Sequence, residues 1–459
     1  MGDETTFEPA ADEAYSIGSE TFSAIRLALA TGDGERLLGL FEPFHAADTA
    51  DLLEQLTPGE RRETLLLTPT VVEPDVLSEL DEGLREEVIA FLPADQLAET
   101  VRELESDDVV DLIEDLEEPQ QEALLDHLPD AERLAVERAL SYPEFSAGRL
   151  MQRELVMAPE HWTVGAAIDH LRAQQDLPDQ FYHLILIDPK MRPVGYVTLG
   201  RLMASRRDRP LKDLTEDSFR TIPLTQDEAD VAYAFNQYHL ISAPVVDDDG
   251  RLVGVITIDD AMAVLDEEHE EDILRLAGVG ESSLTDRVVE TTRQRLPWLA
   301  VNLVTAILAS MVIAQFDMAI AQIVALAILM PIVASMGGNA GTQALTIAVR
   351  AIATRDLTPS NMWRVVRREV FVGLANGLIF AVIMGVVGVI WFGSPALGAV
   401  IAAAMVVNLV VAGLAGILIP VLLDRMGIDP ALASGAFVTT VTDVVGFFAF
   451  LGLAVVILL

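Results

Sequence analysis

Two kinds of hydrophobic pattern divide the 459-residue chain. Toward its end, long apolar runs follow one another at about 297–316, 318–349, 370–392, 395–423 and 431–459. A helix needs ~20 apolar residues to cross a bilayer, so five spans are predicted. The second is longer than a crossing requires and holds Pro331 and a glycine cluster, which predicts a broken or tilted helix. Residues 20–148 instead repeat short amphipathic stretches, among them Asp51–Leu56, Asp95–Val101, Asp108–Ile113 and Gln120–Leu125. Pro58, Pro69, Pro93, Pro119 and Pro129 begin or end them, which predicts a stack of small helix pairs. Residues 149–213 and 214–272 each read as strand, turn, strand and helix. The strands fall at 181–188 and 192–198, then at 243–247 and 250–257, with helices starting near Leu199 and Asp259. The predicted fold is multidomain. An all-α helical-repeat domain precedes two α/β units, a connecting helix over 273–296 and an all-α membrane domain over 297–459. Residues 1–19 form an acidic tail expected to be disordered.

Charge sharpens this division. The chain carries 71 acidic and 30 basic side chains, yet its mean hydropathy is +0.37. Residues 1–290 hold 65 acids against 22 bases, whereas residues 291–459 hold 6 against 8. So negative a field argues against a nucleic-acid partner and suits a cationic one. The absence of Cys excludes disulfides, thiol catalysis and zinc–thiolate sites. The acidic start has no apolar core of the kind a signal peptide needs. With the acidic half in the cytoplasm, Arg293, Arg295, Arg350, Arg355, Arg364, Arg367, Arg368 and Arg425 all face inward. The C-terminus is then expected outside, in a multi-pass plasma-membrane protein embedded in lipid.

Polar groups within the spans carry the candidate chemistry. Gly373, Gly377, Gly413 and Gly416 read as close helix packing. Packing alone explains Gly338-Asn339-Ala340-Gly341-Thr342-Gln343 poorly, because irregular polar backbone at membrane depth belongs beside a cavity. Asp443 stands at the thirteenth position from Ala431, with no Lys or Arg on its span. A carboxylate there costs ~2.5–3.5 kcal/mol on the insertion scale, and a cation pathway justifies that cost. Oxygen ligands without His or Cys favour Mg2+ or Ca2+. Mg2+ keeps its water, so one carboxylate per chain around a symmetry axis suffices. Six acids between Asp266 and Asp272 repel one another unless a cation intervenes, and a helix is expected to run from them to Arg293. Asp247-Asp248-Asp249-Gly250 reads as a turn.

At these residues the chain resembles the MgtE family of magnesium channels or transporters. Tyr142-Pro-Glu-Phe-Ser-Ala-Gly-Arg-Leu-Met151 is similar to the family's junction between its helical N domain and tandem cystathionine-β-synthase (CBS) domains. Pro331–Gln343 is similar to its broken pore helix. Asp429–Ser434 and Thr439–Asp443 resemble its last helix. The resemblance implies a homodimer whose ion path follows the two-fold axis, with Asp443 binding hydrated Mg2+ and Asn339 lining the path. It makes Asp429 the acid at the cytoplasmic mouth and Glu271 and Asp272 its neighbours on the connecting helix. Asp107, Asp111 and Asp260 become regulatory Mg2+ ligands that close the pore when cytosolic Mg2+ is high. An acid common in the family three positions after Asp260 is Ala263 here. CBS units bind adenosine ribose through Thr/Ser-x-x-Asp. Thr257-Ile-Asp-Asp260 fits that pattern, but Thr198-Leu-Gly-Arg201 lacks the Asp, so the case for ATP rests on Thr257 and Asp260 alone.

The expected function is therefore Mg2+ entry through a channel or passive transporter, with Mg2+ as both substrate and regulator. A Co2+ or Mn2+ carrier, with or without coupling to another ion, is the main rival. A CBS-regulated membrane enzyme is the second, but no phosphate loop or nucleophile motif is present, and His269-Glu-Glu-Asp-Ile273 lacks the second His of a metalloprotease helix.

Overall fold

The computed structural model describes residues 17–459 apart from 115, 117, 127, 175–176, 179, 217–218 and 280–287. Most of the expected acidic tail thus lies outside the described residues. The chain divides into two compact units, Met1–Glu267 and Glu268–Leu459.

The first unit opens with short helices: α1 (Ser19–Thr31), α2 (Gly34–Phe41), α3 (Ala46–Gln55), α4 (Pro58–Leu67) and α5 (Pro74–Ser78). Five more follow: α6 (Glu82–Phe91), α7 (Ala94–Glu103), α8 (Ser106–Glu114), α9 (Glu118–Leu125) and α10 (Asp130–Leu140). Proline sits at the first positions of α4 and α5, where its missing N–H costs nothing. Thr57 and Glu60 cap α4 reciprocally. The apolar stripes meet in one core, with Ile25, Leu37, Leu53, Leu77 and Ile113 wholly buried. Such short helices depend on this packing, because their own propensity cannot sustain them.

After α11 (Ala147–Leu150) come two three-stranded sheets of the same design. β1 (Met157–Pro159) runs parallel to β2 (His183–Ile187), which pairs antiparallel with β3 (Pro193–Thr198). β4 (Ile222–Pro223), β5 (Ser242–Val246) and β6 (Leu252–Thr257) repeat that order, and both β2 and β5 shift register before their last residue. Helices α12 (Val164–Ala173) and α13 (Leu199–Ala204) accompany the first sheet, and α14 (Glu228–Tyr238) precedes β5. The short strands β1 and β4 complete sheets whose sequence pattern announces only two strands each. His183 Nδ1 and Ser242 Oγ, at matching ends of β2 and β5, hydrogen-bond at 2.5 Å. Asp247 Oδ1 accepts from the Asp249 and Arg251 N–H groups, and Gly250 takes φ +75°, so the acidic run is a turn.

Helix α15 (Ile258–Leu276) carries the acidic run but stops short of Arg293. Gly278, at φ +70°, follows its end, and the N–H of Val279 bonds back to the Leu274 carbonyl. The expected continuous connecting helix therefore ends at Leu276, and residues 280–287 lie outside the described residues.

The second unit holds α16 (Val288–Ala314), α17 (Asp317–Gln322), α18 (Ala325–Ala353), α19 (Met362–Phe392), α20 (Pro395–Arg425) and α21 (Pro430–Leu458). All except α17 are long and apolar enough to cross a membrane. The break expected at Pro331 and the glycine cluster lies instead at Ile323 and Val324, between α17 and α18. Pro331 sits inside a continuous α18, and neighbouring helices supply the packing that tolerates it. Helix α20 is the hub. An added Cβ on Gly373 would lie 2.6 Å from the Leu409 carbonyl, and one on Gly413 2.9 Å from the Glu369 carbonyl. One on Gly416 would lie 2.6 Å from Ala344 Cβ. These glycines let α19 and α18 approach α20 backbone to backbone.

Candidate metal sites

The first carboxylate group surrounds the start of α8. Acids in a first helical turn favour the positive end of the helix dipole, which explains Asp107 and Asp108 locally. Asp107 is only 8% exposed. Ser106 Oγ–H donates to Glu154 Oε2 at 2.8 Å and accepts from the Arg153 N–H at 2.8 Å. Gln152 Nε2 donates to Glu105 Oε2 at 2.5 Å. These bonds hold α8 against the segment leading into the first sheet. Asp260 faces the same group from the first turn of α15, and its Oδ2 accepts from Thr257 Oγ1–H at 2.6 Å.

Burial drives the Asp107 carboxyl well above the usual range, and repulsion from Asp260 adds to it. Burial first, then Asp260 and Glu105, pushes Asp108 up to about 7. Asp260 and Glu105 also rise through burial and neighbouring carboxylates. Protons or a cation must hold this group together, because several buried carboxylates cannot all ionise side by side. Asp111 stands at the edge of this group, where its charge adds to the rise of Asp108. It is exposed, and its Oδ2 meets Arg85 Nη1 at 2.5 Å. Among the described residues no cluster of three or more acids or imidazoles is drawn tightly enough to enclose an ion.

The second group lies in the other unit. Arg275 reaches Glu271 Oε2 at 2.5 Å and Asp429 Oδ2 at 3.4 Å, so one guanidinium joins the end of α15 to the start of α21. Asp429 also caps α21, accepting from the Ala431 N–H at 2.7 Å. Burial and the Asp429 charge push the Asp272 carboxyl upward. Leu276 packs with Leu345, Val349, Ala431 and Val438, seating the end of α15 on α18 and α21.

The third group lies within the spans. Asp443 is half-buried on α21, beside a wholly buried Thr442. Asn339 is exposed on α18, and its Nδ2 lies a long 3.5 Å from Ser335 Oγ. The glycine cluster separates into two roles. A Cβ on Gly341 would lie 2.6 Å from Val438 Cγ1, whereas one on Gly338 would meet nothing within 4 Å. Gly341 thus packs α18 on α21, while Gly338 and Asn339 occupy the open side.

Comparison with known proteins follows the same division. A family model described as a divalent cation transporter matches residues 330–453. One for the MgtE intracellular N domain matches 44–145, and CBS domain models match 147–208 and 211–267. The magnesium transporter MgtE of Thermus thermophilus is 32% identical over 437 residues, spanning 94% of this chain and 97% of its own. The chain belongs to the MgtE family of magnesium transporters. The MgtE of Bacillus subtilis is 28% identical over 409 residues, covering 89% of this chain and 90% of its own. A solved structure of the cytosolic domain of the Mg2+ channel MgtE in complex with ATP is 29% identical. It covers 53% of this chain and 99% of that one, with a TM-score of 0.49.

Three further residues are not singled out by the sequence. Asp108 lies between Asp107 and Asp111 but reads as one more acid on an acidic helix. Glu369 is 7% exposed on α19, with Arg368 Nε 4.0 Å away, yet beside Arg367 and Arg368 it reads as a boundary charge. Asn408 is wholly buried in the middle of α20. Its signal was available, since it is the one polar side chain between Ala396 and Leu423.

Proposed function

We propose that the chain is a Mg2+-selective channel or passive transporter that carries Mg2+ into the cytoplasm and closes when cytosolic Mg2+ binds its acidic domains. Asp443 supports the path. A half-buried carboxylate in the middle of a helix without Lys or Arg needs a cation or water beside it. Hydrated Mg2+ asks for one or two such ligands. A second copy of the chain across a two-fold axis would cover Asp443 and the exposed Asn339 and double the carboxylate. By the positive-inside rule, the eight arginines of the membrane half support acidic domains in the cytoplasm and a C-terminus outside.

The observation that carries the regulatory reading is the buried acid group of Asp107, Asp108 and Asp260. Mg2+ replaces the protons that these carboxyls otherwise retain, drawing the helical domain onto the CBS pair. When Mg2+ falls, repulsion parts them. The ion thus stabilises the closed state by binding it more tightly than the open one. At the mouth, Glu271, Asp272 and Asp429 supply a second place where Mg2+ would compete with Arg275. Asp111 has a weaker claim as a ligand, because Arg85 already holds it.

Thr257 and Asp260 are the place for an adenosine ribose, so ATP there would contend with Mg2+ for Asp260. Equilibrium dialysis of labelled ATP at several Mg2+ concentrations measures that competition. For gating, limited proteolysis of the full chain in liposomes at pH 8 should slow at the helical–CBS junction as Mg2+ rises through the millimolar range. Nicking that ignores Mg2+ would mean the acid group has no regulatory role.

A further inference from the structure

Asn408 sits on α20, which carries no residue of the proposed ion path, yet it touches α18 and α21, which carry Asn339 and Asp443. Its side chain is 0% exposed. Nδ2 donates to the Val333 carbonyl of α18 at 2.8 Å. That carbonyl can only accept, so the amide nitrogen must face it. On its other side stands Gly446 of α21, where an added Cβ would lie 2.8 Å from Nδ2 and 3.0 Å from Oδ1. A Cβ on Gly337 of α18 would overlap the same amide. The amide therefore fills a slot whose two walls are glycines on different helices. Gly337 stands two residues before Asn339, and Gly446 three residues after Asp443, one turn along the same side of α21.

Packing alone does not call for an amide here. Oδ1 is buried with no hydrogen-bond partner, and an apolar side chain of the same shape would avoid that penalty. What an apolar side chain would lose is the directional bond to Val333. We propose that Asn408 is a positioning residue for the ion path: its amide fixes α18 against α21 and so sets how Asn339 and Asp443 are presented to the ion. This rests on the proposed path through Asp443.

The test compares Asn408→Leu, which keeps the branching of the side chain and removes both polar atoms, with wild type and Asp443→Ala. Each full-length protein is reconstituted in liposomes with a Mg2+ indicator, and its thermal unfolding is followed in parallel. Asn408→Leu should unfold no earlier than wild type, while Mg2+ uptake falls roughly tenfold, the loss expected from one directional bond. Its half-saturating Mg2+ concentration and its preference for Mg2+ over Ca2+ should change as well, which a merely structural role would not cause. Wild-type uptake and preference in Asn408→Leu, with Asp443→Ala silent, would overturn the positioning role and leave the path intact. Normal uptake by Asp443→Ala would overturn the path itself. Should Asn408→Leu fail to assemble, Asn408→Ala removes the amide without adding bulk or a titratable group. Reduced uptake and an altered preference for Mg2+ over Ca2+ in an assembled Asn408→Ala support the role, and wild-type uptake refutes it.

Discussion

Asp108 titrates in a useful range because burial and its acidic neighbours raise it from 3.8 to about 7. A carboxyl raised in the folded state stabilises that state fully below its unfolded value and loses the contribution as pH rises through the folded value. Without divalent cations, the contact between α8 and the start of α15 should therefore be firmest below about pH 4 and weaken progressively as pH rises to about 7. Asp107, Asp260 and Glu105 shift in the same direction and broaden the change. Adding Mg2+ at pH 8 should restore the contact, and Mg2+ binding near pH 7 should release protons. Protease nicking across a pH series, with a pH-indicator titration of Mg2+ binding, measures both. Nicking that stays constant from pH 5 to about pH 8.5 without Mg2+ would contradict this account of the acid group. The sequence marked Asp107 and Asp260 by resemblance to a family. It could not mark Asp108, since which of several adjacent acids is buried depends on how α8 meets the segment 152–154. Nor could it reveal that Arg85, 26 residues from Asp111, pairs with that carboxylate at the edge of the group.

Among the elements, the five apolar helices were legible because hydropathy summed over ~20 residues is a strong signal. Breaks were less legible. Pro331 and its glycines have the composition of a helix breaker, yet α18 continues because Gly337 and Gly341 are spent on contact with α20 and α21. The real interruption, at Ile323 and Val324, is apolar and carries no local signal. Similarly, α15 ends at Leu276, where the Gly278 turn was outweighed by the acidic helical pattern before it. The glycines divide into two classes that a mutation series can separate. Gly416→Val would press a side chain onto Ala344 Cβ, 2.6 Å from its own Cβ, and onto the Gly341 carbonyl at 2.7 Å. It should cost about 1–3 kcal/mol of stability. Gly338→Ala, with open space around it, should leave thermal unfolding unchanged within ~0.5 kcal/mol, or slightly raised by better helix propensity. Thermal unfolding in detergent distinguishes them. Equal effects would mean that α18 is packed as closely at Gly338 as it is against Gly416.

For the whole molecule, charge and hydropathy together carry the account. An acidic soluble half and a nearly neutral apolar half were visible in the counts alone, and a tandem pair of α/β units was visible in the repeated strand pattern. Which acids share a group was not, because it depends on which side of a helix faces its neighbours. The proposed cycle joins two independent claims: a path through Asp443, and closure by carboxylates far from it in sequence. The path is the more basic one, since gating has no meaning without it. Its most direct test is Mg2+ entry into liposomes carrying the full chain, comparing wild type with Asp443→Ala. Wild type should conduct Mg2+ down its gradient, with Co2+ competing weakly, and the variant should fall at least about tenfold while remaining folded, as loss of an intramembrane ligand implies. A folded Asp443→Ala that conducts Mg2+ as wild type does would contradict the account and place the ion path elsewhere.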